Sequence, residues 1–200
     1  IKTGGTLPLI TSCSPGWINY CEHYYPEFIQ NLSSCKSPQQ MFGAVAKSWY
    51  AEKLGIDPKD IFVVSIMPCT AKKYECKRPE QGANGVADVD VALTTRELGR
   101  MIDRAGIDFV NLPDEKYDDP MGVSTGAAVI FGTTGGVMEA ALRTAAEWLT
   151  GDPAAPVEFC DVRAPGEVRE ATYTVGGLTL NVAVTSGLAN ARDLLDAVKR

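Results

Sequence analysis

Residues 61–75 read IFVVSIMPCTAKKYE. The β-branched and aromatic run Ile61, Phe62, Val63, Val64 and Ile66 predicts a strand. Pro68 ends it, because proline has no N–H to give to a sheet ladder. Just past that end come Cys69, Lys72 and Glu75. In open α/β sheets, sites gather where strands end and helices begin, so this stretch predicts an α/β fold with chemistry at one strand's carboxyl end.

A second stretch is built the same way. Residues 7–17, LPLITSCSPGW, pass from Leu7, Leu9 and Ile10 to Cys13, Ser14, Pro15 and Gly16. Residues 7–12 are predicted to form a buried strand. The two cysteine loops are expected to face each other across a cleft between two small α/β lobes with parallel sheets.

Helical patterns fill the intervals. From Pro38 to Leu54, Met41, Val45 and Trp49 recur on one helical face with Ala44 and Ala51 beside them, and Gly55 offers a stop. A short strand is expected at 90–93. Thr94 then opens a helix, and Glu97 three residues on completes a capping box. Leu98, Met101 and Ile102 are expected to point inward, and Gly106 to end the helix. Residues 111–122 read as a turn-rich loop, and 137–149 as a helix closed by Gly151. Strands are expected at 157–163, 171–175 and 178–184. A last helix at 188–198 is expected to bury Leu194, Leu195 and Val198. The glycine pair in TTGGVMEAALR invites a phosphate cradle, but no GxGxxG or Walker pattern accompanies it, so close backbone packing is the preferred reading.

Composition narrows the partners. The formal charge is −6, whereas nucleic acid and anionic membranes reward basic patches. No stretch approaches the roughly 18 apolar residues of a membrane span. The six cysteines lack the dense spacing of a secreted scaffold and contain no CxxC pair, which predicts reduced thiols and a cytoplasmic location. The chain opens at Ile1 with no leader, and is expected to be a piece of something longer. His23, in CEHYYPE, reads as a helix-surface residue.

Soft thiolates suit iron–sulfur clusters, and nearby cations lower a thiol's pKa. Alone, Cys69 also fits a buried strand-end cysteine with solvated lysines. The ordered set TSCSPGW, KSPQQMFG, MPCTAKKYE, TTREL and TGGVMEAALR resembles the catalytic domain of the FeFe-hydrogenases along essentially the whole chain, most closely the NAD(P)-linked or electron-bifurcating types. The resemblance implies the family's two-lobed fold and its reaction, reversible reduction of protons to H₂. It also implies the H-cluster, a 4Fe–4S cubane joined to a two-iron unit bearing CO and cyanide. Ferredoxin-like cluster domains and NAD(P)H-linked subunits are the partners implied.

By position in the matching motifs, Cys69 corresponds to a cubane ligand and Lys72 to the lysine beside a cyanide. Cys13 corresponds to the thiol that passes protons, and a free thiol's pKa of about 8.5 is close enough to neutral for transfer in either direction. Ser33 falls on the family's proton route, with a surface turn serine as the alternative, and Glu75 aligns with a polar family residue. Pro38, Gln39, Met67, Pro68 and Phe131 correspond to walls of the two-iron pocket; for Met67 and Phe131 core packing is a parallel reading.

Three departures stand out. Ser14 occupies a position where the family usually has a second cysteine that binds the cubane. Either Ser14 ligates, or Cys13 turns to do so, or that corner is weakly bound. The family's third, glycine-rich cysteine signature is absent, and so are the ferredoxin-like domains that usually precede this region. Residues 1–200 are therefore expected to be a catalytic-domain fragment, inactive and largely cluster-free by itself. The alternative is a non-catalytic iron–sulfur assembly or sensory relative of the same fold; Cys13 and Lys72 favour the enzyme.

Overall fold

The computed structural model describes residues 4–152 and 168–200. Cys160 and the strand expected at 157–163 lie outside the described residues. The chain divides into two compact units, Ile1–Met121 and Gly122–Arg200.

The first unit begins with a correction. Residues 7–12 form no buried strand: Ile10 makes a single parallel bridge to Leu32, and Leu7 and Leu9 are exposed. The bridge is short but tied, with Ile10 N–H donating to Asn31 O at 2.8 Å and Ser33 N–H to Ile10 O at 2.7 Å. Among the described residues no neighbouring strand extends it into a ladder, and Leu7 and Leu9 stay at the surface. Helix α1 (Pro15–Tyr24) follows, with Pro15 at its first position, where a missing N–H costs nothing.

Helix α2 (Pro38–Val45) runs through a π turn (Ala46–Tyr50) into α3 (Ala51–Leu54), and Gly55 at φ 66° ends the run. Its orientation is opposite to that suggested by the apolar stripe. Met41, Val45 and Trp49 are exposed, while Gln39, Gln40, Gly43, Ala46, Lys47 and Ala51 are buried. Polar bonds reward that choice. Lys47 Nζ meets Asp90 Oδ2 at 2.6 Å and Ala87 O at 2.8 Å. Gly43 lies so close to Asp88 that a Cβ there would stand 2.2 Å from the Asp88 carbonyl oxygen. A residue larger than glycine at position 43 could not enter that space.

Strand β1 (Val64–Met67) pairs in parallel with β4 (Val91–Thr94), placing Met67 opposite Thr94. Between them lie helix α4 (Ala71–Glu75) and the hairpin of β2 (Gly82–Ala83) and β3 (Val86–Ala87). Helix α5 (Thr95–Arg104) carries the expected capping box, Thr94 Oγ1 accepting from Glu97 N–H and the Glu97 carboxylate from Thr94 N–H. On α5, Leu98 and Ile102 are half-buried, but Met101 is exposed, contrary to expectation. Ala46, Val63 and Val89 form a small core against Ile61 and Cys76.

The second unit contains α6 (Ala127–Ile130), α7 (Gly136–Thr150), β5 (Val168–Val175), β6 (Leu178–Thr185) and α8 (Leu188–Val198). β5 and β6 pair antiparallel, where the sequence reading expects parallel strands. The Gly176-Gly177 turn, at φ 54° and 78°, decides this, because a two-residue connection can join only antiparallel neighbours. Leu142 and Ala146 of α7 pack on Tyr173, Val175 and Val184. On α8, Leu195 is buried and Val198 is exposed. Gly136 serves close packing as expected, since a Cβ there would fall 1.7 Å from Ile130 O.

Candidate functional site

Pro68 releases the chain from β1, and one and a half turns of α4 then set Lys72 and Glu75 three residues apart on one helical face. Lys72 Nζ donates to the backbone carbonyl of Cys13 at 2.7 Å and to Glu75 Oε2 and Oε1 at 3.2 and 3.4 Å. One ammonium thus joins the two cysteine loops that the sequence pattern set in parallel.

Glu75 is buried, and its Oε2 is crowded with donors. Ser37 Oγ donates to it at 2.8 Å and Gln39 Nε2 at 2.6 Å, besides Lys72. Gln39 is fixed in turn by Ser65, whose hydroxyl donates to Gln39 Oε1 at 2.6 Å. Gln39 Nε2 also lies 3.4 Å from Lys72 O and 3.5 Å from Cys76 Sγ. Burial pushes the Cys76 thiol up, partly offset by the Gln40 amide that donates to its sulfur, which keeps it a neutral thiol near neutral pH. Pairing with the buried ammonium and accepting two further hydrogen bonds is what makes a carboxylate tolerable at this depth.

Two serines here forgo their usual task. Ser14 and Ser37 stand at the N-caps of α1 and α2, each before a proline, and neither side chain caps its helix. A serine cap is worth about 1 kcal/mol to a helix. Ser37 gives its hydroxyl to Glu75 instead, whereas Ser14 is exposed.

A cleft of about 290 Å³ opens beside this network and is lined by Ser12, Ser33, Lys36, Ser37, Glu75 and Arg78, among others. Ser33 and Glu75 therefore share one space. Its cations are already partnered: Lys36 pairs with Asp88, and Arg78 with Glu80 and with both oxygens of Glu22 at 2.5 and 3.0 Å. The Arg78 hydrogen bonds hold the Glu22 carboxyl below its ordinary range.

Cys13, Cys69 and Met67 are half-buried, while Pro38 and Pro68 are exposed. Phe131 belongs to the second unit, where it follows α6 and is 39% exposed. Cys21 is buried with its thiol toward Tyr25 O, and His23 is exposed with Nδ1 2.8 Å from Asn19 O, as its helix-surface reading expects. The five described cysteines are free thiols. Among the described residues no group of three or more Cys, His, Asp or Glu side chains is placed to hold a metal ion. A 4Fe–4S cluster is held by four thiolates, and the described residues bring no such set together.

Sequence reasoning missed Ser37 and Ser65. The signal for Ser37 is the Ser-Pro pair that opens a helix, which reads as a cap. The signal for Ser65 is its alternation with exposed Val64 and Ile66 along β1, which turns it to the covered side.

The family model "Iron only hydrogenase large subunit, C-terminal domain" matches residues 1–200. The chain belongs to the iron-only hydrogenase large-subunit family. It is 54% identical to the NADP-reducing hydrogenase subunit HndD of Solidesulfovibrio fructosivorans, over 96% of this chain and 33% of that protein. It is 52% identical to the periplasmic iron hydrogenase large subunit of Nitratidesulfovibrio vulgaris, over 99% of this chain and 47% of that one. A solved apo FeFe-hydrogenase from Chlamydomonas reinhardtii superposes with a TM-score of 0.79 at 43% identity, over 95% of this chain and 55% of the other. More distant is the cytosolic iron-sulfur assembly component 3 of Pongo abelii, 32% identical over 97% of this chain. This member of the hydrogenase family thus spans a third to about half the length of the hydrogenase sequences it matches. No described helix is long and apolar enough to cross a membrane.

Proposed function

We propose that the chain is catalytic-domain sequence of an iron-only hydrogenase, the whole protein catalysing 2H⁺ + 2e⁻ ⇌ H₂. The observation that carries this reading is the Lys72–Cys13 hydrogen bond, which unites both signature loops at one place in a chain of this family. The H-cluster of the whole enzyme would supply the iron and electron chemistry. From this chain, Cys69 would offer a thiolate to the cubane and Lys72 a fixed positive charge beside an anionic ligand, which is electrostatic preorganisation. The Cys13 thiol holds and passes a proton, and Ser33 stands on its route from solvent. Pro38, Gln39, Met67 and Pro68 would help to exclude water from the two-iron unit, and Phe131 is assigned to the same task on the resemblance alone. Ser14 would stand at one cubane corner where a serine oxygen is a poorer ligand for iron than a thiolate, leaving that corner weakly held.

The assembly-factor reading has less support, because the match to hydrogenases is much closer in identity. NAD(P)H-linked subunits and ferredoxin-like domains are the proposed electron partners. A cytoplasmic site is proposed on the free thiols, the form a reducing compartment maintains.

Anaerobic loading followed by an assay of H₂ evolution from reduced viologen tests the reading. The whole enzyme is expected to evolve H₂, and residues 1–200 alone to evolve none. Hydrogen from the 200-residue chain would overturn the claim that its ligand set is incomplete. Cluster binding without turnover in the whole protein would favour the assembly reading.

A further inference from the structure

We propose that Ser37 is a positioning residue that acts through Glu75 to hold the Lys72 ammonium against the Cys13 loop. The proposal deepens the hydrogenase reading by adding a residue to the same site, but its geometry stands without any bound cluster.

Ser37 is 2% exposed and occupies the N-cap of α2, where a serine ordinarily accepts from the N–H groups of the first turn. Here it caps nothing. Its hydroxyl points across 38 positions of sequence to Glu75 Oε2 at 2.8 Å. That same oxygen accepts from Gln39 at 2.6 Å and from Lys72 at 3.2 Å. A carboxylate held by donors from α2 and from its own helix cannot rotate freely, and its second partner, the ammonium, inherits that fixity. Lys72 has a long flexible stem, so an unanchored ammonium would sample many rotamers. Anchored, it stays 2.7 Å from Cys13 O. Ser37 touches neither Lys72 nor Cys13 by any hydrogen bond in the structure, so its influence on them passes through Glu75.

Amine acylation of the protein without cluster, followed residue by residue by mass spectrometry, reads how firmly Lys72 is held. Lys47, paired to Asp90 away from this network, is the internal control. In Ser37→Ala the Lys72 rate is expected to rise several-fold with Lys47 unchanged, and Ser37→Thr is expected to restore it. Glu75→Gln is expected to raise the Lys72 rate further, and adding Ser37→Ala to it is expected to change nothing more. That last result separates positioning from a general structural role, because two independent losses would combine. An unchanged or slower Lys72 rate in Ser37→Ala overturns the proposal. So does a rise shared equally by Lys47, or full additivity in the double variant. None of these readings depends on hydrogenase activity, so the proposal can fail while the functional assignment stands, and the reverse.

Discussion

Lys72 Nζ lies 2.7 Å from the backbone carbonyl oxygen of Cys13, 59 positions away in the chain. A side chain from the second cysteine loop therefore fixes the backbone of the first. Loss of the Lys72 ammonium would remove that hydrogen bond, whereas a side-chain change at Cys13 leaves the accepting carbonyl in place.

Replacing Lys72 with Met removes the only cation bonded to Glu75 among the described contacts. Breaking one side of a buried ion pair costs about 3 kcal/mol. Urea unfolding of Lys72→Met is expected to show a loss of that order. In the double variant Lys72→Met, Glu75→Gln the loss is expected to be smaller, because no charge is left behind.

Cys13→Ala in the whole enzyme is expected to leave iron content unchanged while turnover falls at least about 100-fold, the scale of a lost proton-transfer group. Iron and activity are measured on the same preparation. A parallel loss of iron would make Cys13 a ligand and end its assignment as proton carrier.

Ser14 stands exposed at the start of α1, with a hydroxyl that caps nothing. A thiolate is a softer ligand for iron than a serine oxygen. Ser14→Cys is therefore expected to raise the iron retained after desalting of the loaded enzyme, and Ser14→Ala to leave it unchanged. A fall in Ser14→Ala would establish the serine oxygen as a working ligand.

The α5 cap predicts a pH dependence. Lys73 Nζ meets Glu97 at 2.5 Å, and this bond, with those from Thr94, holds the Glu97 carboxyl down to about 2. A lowered carboxyl pKa gives stability that is present above the ordinary value of 4.5 and lost as pH falls toward 2. Helical circular dichroism is expected to decline across that window, and Lys73→Gln to weaken the decline most, since Lys73 is the largest cause. Thr94→Ala is expected to cost about 1 kcal/mol at neutral pH. The pair is surface-exposed, so added salt is expected to blunt the acid effect.

The sequence by itself determined whatever depends on near neighbours. Thr94 and Glu97 announce their capping box because both partners sit within one turn, and Gly55 and Gly151 end helices because their own backbones adopt positive φ. The ordered signatures around Cys13 and Cys69 were enough to place the chain in its family. Tertiary structure alone decided which side of α2 is covered. The stripe Met41, Val45 and Trp49 looks like a core face, yet Gln39, Gln40 and Lys47 are buried because their partners Glu75, Cys76 and Asp90 arrive from distant segments. The same holds for Ser37, which reads as a helix cap until Glu75 is brought within 2.8 Å of its hydroxyl. A hydrogen bond between residues dozens of positions apart leaves no periodicity in the sequence, so only the folded chain reveals what that serine is for.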